Sequence, residues 1–150
     1  RDRVYIDGPY GLFSHLRFSE AQEFIMIAGG IGITPMLSML RYMADSGDQR
    51  KLTLLWSNQT PDHIVLPDAF EKLAAQLKGL RILHVMTRAS ENSGERRRLD
   101  RPKLKRLLAD CSRSAAVLVC GPDQMMTDVY LWLVSLGFQR RMIFIERFSL

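Results

Sequence analysis

Two glycine-proline turns carry the residues whose types and spacing bear on chemistry, Ala28-Gly29-Gly30-Ile31-Gly32-Ile33-Thr34-Pro35 and Cys120-Gly121-Pro122-Asp123-Gln124-Met125-Met126. In the first, Gly29, Gly30 and Gly32 let the chain turn sharply and bring main-chain amides close to an anion. Thr34 is placed to cap the helix that follows, and Pro35 suits its first position. Amides left free at a helix start, together with the positive end of the helix dipole, attract phosphate without a lysine. The chemistry on offer is therefore pyrophosphate binding. By spacing alone the run also describes an ordinary tight turn, because it is neither Gly-x-Gly-x-x-Gly nor Gly-x-x-x-x-Gly-Lys.

In the second turn Gly121 allows close approach and Pro122 opens a helix. Cys120 reads either as a residue pointing into a crevice beyond the strand ends or as a small buried filler. Met125 and Met126 stand one helical turn before Val129 and Tyr130 and read as packing residues.

Such turns need strands to hold them, and the apolar pattern supplies these. Residues 23–28, 51–56, 81–86, 115–120 and 142–145 read as short buried strands, and residues 34–44, 67–77, 102–109 and 122–136 as helices between them. Gly79 stops the second helix and Gly137 the fourth, while residues 87–98 are polar and read as a loop. Strand-helix alternation predicts an α/β fold: a three-layer, Rossmann-like domain with a five-stranded parallel sheet covered on both faces. The opening stretch, with its turn at Asp7-Gly8-Pro9-Tyr10-Gly11, does not join this rhythm. It reads as the trailing edge of something upstream, giving an expected division into residues 1–15 and a domain over 16–150.

The composition agrees with one domain: 150 residues, 47% of them hydrophobic, with a formal charge of +5. That charge suits an anionic dinucleotide, an acidic protein or nonspecific attraction to nucleic acid. Cys111 and Cys120 lack metal-ligand spacing and form no disulfide framework, so no metal site is expected and a reducing compartment fits. No apolar run approaches the roughly 20 residues that span a bilayer, and the first residues have no signal-peptide core.

With these residues in place, the chain resembles the pyridine-nucleotide domain of the ferredoxin-NADP reductase superfamily, which includes oxygenase reductases, ferric reductases and NADPH oxidase dehydrogenase domains. The marks are Gly8-Pro9-Tyr10-Gly11, the run from Ala28 to Pro35, Cys120-Gly121-Pro122 with Met125-Met126, and Glu146-Arg147-Phe148. The resemblance implies that NADP or NAD binds with its pyrophosphate on Gly29, Gly30, Gly32 and Ile33. It places Thr34 and Pro35 near the nicotinamide half, and Cys120, Gly121 and Pro122 near the ring carbon that gives up hydride. Cys120 would shape that site and not act as a nucleophile. Glu146 would tune the reacting rings and Phe148 would meet the flavin side. Without the resemblance, Glu146 is a surface acid and Phe148 a tail residue.

The resemblance also sets Ser57 and Asn58, after the second strand, and Thr87 with Arg88, after the third, near the adenosine half. Thr87-Arg88 resembles a Ser-Arg pair that takes a 2′-phosphate, and Arg96, Arg97 or Arg98 would add charge; no acid follows these strands, which weakens a strict NADH assignment. The implied function is the NAD(P)H-binding half of a flavin-dependent oxidoreductase, with FAD on a preceding barrel whose motifs this sequence lacks. The chain thus reads as a fragment or one half of a split reductase, inactive alone. Downstream, heme, an iron-sulfur protein or ferric iron would accept electrons, in the cytoplasm or at the cytosolic face of a membrane. With only two residues after Phe148 in this sequence, no C-terminal iron-sulfur domain is expected within it. The alternative is a nonenzymatic nucleotide-sensing or protein-interaction domain of the same fold. Specific nucleic-acid binding has only the charge and Arg96-Arg97-Arg98 behind it, with no aromatic-basic alternation.

Overall fold

A computed structural model of the chain describes residues 12–88, 95–96 and 98–147. Its sheet runs β1 (Glu23–Gly29), β2 (Lys51–Asn58), β3 (Leu80–Met86), β4 (Glu95–Arg96), β5 (Ala116–Cys120) and β6 (Ile143–Glu146). The strands are all parallel, in the order β4-β3-β2-β1-β5-β6. Five of them are the predicted ones. The sixth, β4, is two residues long and lies inside the predicted loop, where it pairs with Val85 and Met86 at the sheet edge. So short a polar segment has no period to read; only the edge of β3 makes it a strand.

Helices α1 (Ile33–Asp45) and α2 (Pro67–Gln76) cover one face, and α3 (Arg101–Leu107) and α4 (Asp123–Ser135) the other. Strand alternation divides the core accordingly. Phe24, Met26 and Ala28 of β1 join Leu118 and Cys120 of β5 beneath α1, whereas Ile25, Ile27, Val117 and Val119 face α4. Burial on both faces explains why these strands read as continuous apolar runs. Each helix contributes a stripe at helical spacing, Ile33, Met36, Leu40 and Met43 in α1 and Met126, Val129 and Leu133 in α4. Asp100 caps α3 by accepting the Lys103 amide at 2.8 Å, with Pro102 in the first turn.

The chain moves outward from β1 to β4, then returns to place β5 on the other side of β1. Between the carboxyl ends of β1 and β5 successive connections therefore part to opposite sides, which is where open parallel sheets take ligands. The two turns singled out from sequence meet at that point. The two cysteines are free and lie at opposite ends of the β5 segment, Cys111 before it and Cys120 closing it. Among the described residues no helix is long and apolar enough to cross a membrane.

Candidate functional site: the crevice between two glycine turns

The first turn leaves β1 at the buried Gly29, passes through a 3-10 turn at Gly30–Gly32, and enters α1 at Ile33. Gly30 takes φ +51°, and no atom lies within 4 Å of where a Cβ would sit, so it faces open space. Gly32 does something different. A Cβ there would lie 2.2 Å from the carbonyl oxygen of Cys120, so this glycine lets α1 start directly against the end of β5. Gly29 and Gly121 face each other across the same seam, a Cβ on Gly121 falling 3.1 Å from the Gly29 Cα. Of the three glycines in the first turn, Gly30 has open space where a side chain would stand, and Gly29 and Gly32 let the turns pack together.

The helix start also differs from the sequence expectation. Gly32 occupies the cap position, and the Thr34 hydroxyl does not cap: it lies inside the first turn and donates to the Ile31 carbonyl at 2.8 Å. The 3-10 turn begins the helix one residue early, which moves Thr34 past the point where its oxygen can accept an amide proton. Ile33 is buried beneath the turn, its amide donating to the carbonyls of Gly30 and Ile31, while Thr34 is exposed and Pro35 half-buried. Trp56, read from sequence only as the end of the second strand, sends its indole N–H to the Gly30 carbonyl at 3.1 Å. The signal available was that a buried tryptophan needs a partner for that proton.

Cys120 and Glu146 are brought side by side, as directly paired residues at the ends of β5 and β6. The Cys120 side chain is fully buried and belongs to the core on the α1 face, so it does not line the crevice. Burial and then the Glu146 charge push its thiol up to about 11. A neutral thiol at ordinary pH is consistent with a shaping role and not with a nucleophile. In the folded chain at pH 8, iodoacetamide should leave Cys120 and the buried Cys111 unmodified and label both on denaturation; rapid native labelling would contradict this burial. The same shift gives a pH dependence. A thiol held protonated by the fold stabilises it fully below the unfolded value near 9.0 and loses that contribution as pH rises toward about 11. Phe148, Gly8-Pro9-Tyr10-Gly11 and Arg97 lie outside the described residues, as does the side chain of Arg96.

A cleft of about 410 Å³ opens over the carboxyl edge of the sheet. Its lining includes Gly29, Gly30, Ser57 and Asn58 from the ends of β1 and β2, Pro122 and Met125 from the second turn, and Thr87, Arg98 and Trp132 beyond. Asn58 is 5% exposed and its side-chain amide nitrogen has no hydrogen-bond partner in the protein. A buried unpaired donor in a cleft wall is placed to meet a ligand acceptor. Ser57 is half-buried beside it. Arg88 is exposed and is not among the lining residues; its backbone amide is tied to Gln59. Arg98 stands in the wall instead. On the α4 side Gln124 donates to Asp128 at 2.9 Å, which occupies that carboxylate. Among the described residues no three His, Cys, Asp or Glu side chains gather as a metal ion requires.

An open glycine turn at a helix start, an unpartnered buried amide and an arginine, set around the switch point of a parallel sheet, define a dinucleotide-binding α/β domain. Comparison with known proteins gives the family. The oxidoreductase NAD-binding domain profile matches residues 26–130. The chain is 35% identical over 148 residues to a nitrate reductase [NADPH] of Emericella nidulans, covering 88% of this chain and 17% of that protein. It is 33% identical over 144 residues to NADH-cytochrome b5 reductase 1 of Eremothecium gossypii, covering 93% of this chain and 50% of that protein. The structure of the CS-b5R domains of human Ncb5or in its NAD+ form superposes with a TM-score of 0.78 at 30% identity, over 91% of this chain and 40% of that one. The chain belongs to the oxidoreductase NAD-binding domain family, within the ferredoxin-NADP reductase superfamily. It spans half or less of the length of these relatives.

Proposed function

We propose that this domain holds NAD(P)H so that its nicotinamide meets a flavin on a partner FAD domain, as the electron-entry half of a reductase whose acceptor is a heme of the cytochrome b5 kind. The observation that carries the reading is the convergence, in one cleft, of the open Gly30 turn and the unpartnered Asn58 amide. When bound, the nicotinamide supplies hydride and the flavin divides the electron pair. The protein's part is position. The Gly30 turn takes the pyrophosphate, Asn58 and Ser57 meet polar atoms of the nucleoside, and the buried Cys120 thiol packs the end of β5 beneath α1 beside Glu146, supporting the turns from the core without touching the rings. The names of the relatives match this reading, one specifying NADPH and the other NADH with cytochrome b5. A cytoplasmic setting accords with two free thiols.

Arg98 in the cleft wall and the uncharged Thr87 beside it favour NADPH, since a 2′-phosphate is matched by a guanidinium and an acid at this place would repel it. Calorimetric titration with NADP⁺ and NAD⁺ at matched ionic strength is the test. NADP⁺ is expected to bind more tightly. Arg98→Ala should weaken NADP⁺ about tenfold and leave NAD⁺ within about twofold, whereas Arg88→Ala should change neither. Equal losses for both nucleotides in Arg98→Ala would remove the 2′-phosphate role.

A further inference from the structure

We propose that Trp56 is a positioning residue that locks the phosphate-binding turn in its donor orientation; this rests on the nucleotide reading above. Beyond the Ile33 amide that its carbonyl accepts within the turn, Gly30 has a use for such a lock. At φ +51°, with nothing near its Cβ position, it has no steric reason to keep one peptide orientation, because glycine visits the left-handed and extended regions almost equally. The Trp56 indole N–H reaches the Gly30 carbonyl at 3.1 Å. A trans peptide is planar, with its C=O and N–H pointing in opposite directions. Holding the Gly30 carbonyl toward Trp56 therefore turns the Ile31 N–H away from Trp56.

The next peptide is held in the same manner. Thr34 donates to the Ile31 carbonyl at 2.8 Å, so two successive carbonyls are pinned by side chains and the amides across from them have fixed directions. The Ile33 amide is shared between these two carbonyls, which leaves Trp56 as the side-chain donor to the Gly30 oxygen. Trp56 itself has little freedom. It is 1% exposed, with its ring between Phe70 of α2 at 5.2 Å and His84 of β3 at 5.7 Å. The lock is thus anchored in the sheet and in α2, and donors set in advance lose less on binding than donors that must be ordered.

The test removes the N–H and keeps the ring. In Trp56→Phe, and in a chain carrying benzothienylalanine in place of Trp56, which keeps the shape of the indole without its proton, NADP⁺ and ADP-ribose should bind about tenfold more weakly. Binding of 2′-AMP, which carries the adenosine without a pyrophosphate, should be unchanged. Equal loss for 2′-AMP and NADP⁺ would show a merely structural role and overturn the proposal, as would unchanged NADP⁺ binding in the benzothienylalanine chain. A ligand-free measurement separates this proposal from the nucleotide reading. The Trp56 indole proton should exchange slowly with solvent by NMR, and exchange at the rate of free indole overturns the lock whatever the nucleotides do. Slow exchange in a chain that binds none of the three ligands would instead overturn the nucleotide reading, and the phosphate-positioning role with it.

Discussion

Gly32→Ala should cost about 3 kcal/mol or more of folding stability and lower the melting temperature by about 10 °C. The reason is local and severe. The added methyl carbon would sit 2.2 Å from the Cys120 carbonyl oxygen and 2.6 Å from its carbon, and both are main-chain atoms of a central strand. No rotamer change relieves a clash with backbone. Either α1 moves off the end of β5, opening the core around Ile33 and Met36, or β5 shifts against β1 with loss of its ladder. Calorimetric melting of the parent and variant decides it. A shift under about 2 °C would mean the seam between the turns is looser than described.

The second large effect is of the opposite kind. Gly30→Val should leave the fold within about 2 kcal/mol of the parent, the usual cost of a left-handed conformation for a residue with a Cβ, while raising the dissociation constant for NADP⁺ about 100-fold. Nothing within 4 Å of the Cβ position resists the side chain, so the core does not register it. The turn does, because a β-branched residue at φ +51° relaxes toward negative φ and carries the amides with it. The same side chain stands on the open side of the turn, where a pyrophosphate would approach. Titration of a variant with native near-ultraviolet dichroism is the measurement, and parent-like affinity would place the phosphate elsewhere. Two glycines two residues apart are thereby separated by their failures, one in stability and one in binding.

Much of this was legible beforehand because strands buried on both faces announce themselves as apolar runs, and strand-helix alternation leaves few topologies. The turn at Gly29 to Pro35 was read from its residues, while Ser57, Asn58 and Thr87 near the adenosine half, and Cys120 and Glu146 near the reacting rings, came from the family resemblance; in the fold the first three line the cleft and the last two are strand neighbours. What was not legible depends on chain segments distant in sequence. Arg88 and Arg98 are indistinguishable as letters in a polar loop; the return of the chain toward α3 puts Arg98 in the cleft wall and leaves Arg88 outside it. Cys120 ends its strand beside the crevice, yet strand alternation turns its side chain to the α1 face, where it is fully buried.

The sequence by itself determined the layered α/β architecture, because this follows from local periodicity and from glycine and proline chemistry at single turns, and its resemblance to the ferredoxin-NADP reductase superfamily implied the class of ligand and its place at the carboxyl edge. Only the tertiary structure decided which glycine faces a ligand and which faces Cys120, that Thr34 braces a carbonyl and caps nothing, and that Trp56 reaches Gly30 from the neighbouring strand. The glycine and tryptophan assignments depend on contacts between segments distant in sequence, Gly32 with Cys120 and Trp56 with Gly30, and the Thr34 assignment on where the 3-10 turn begins the helix. A single turn read along the chain contains neither the direction of its peptides nor the atoms that will pack against it.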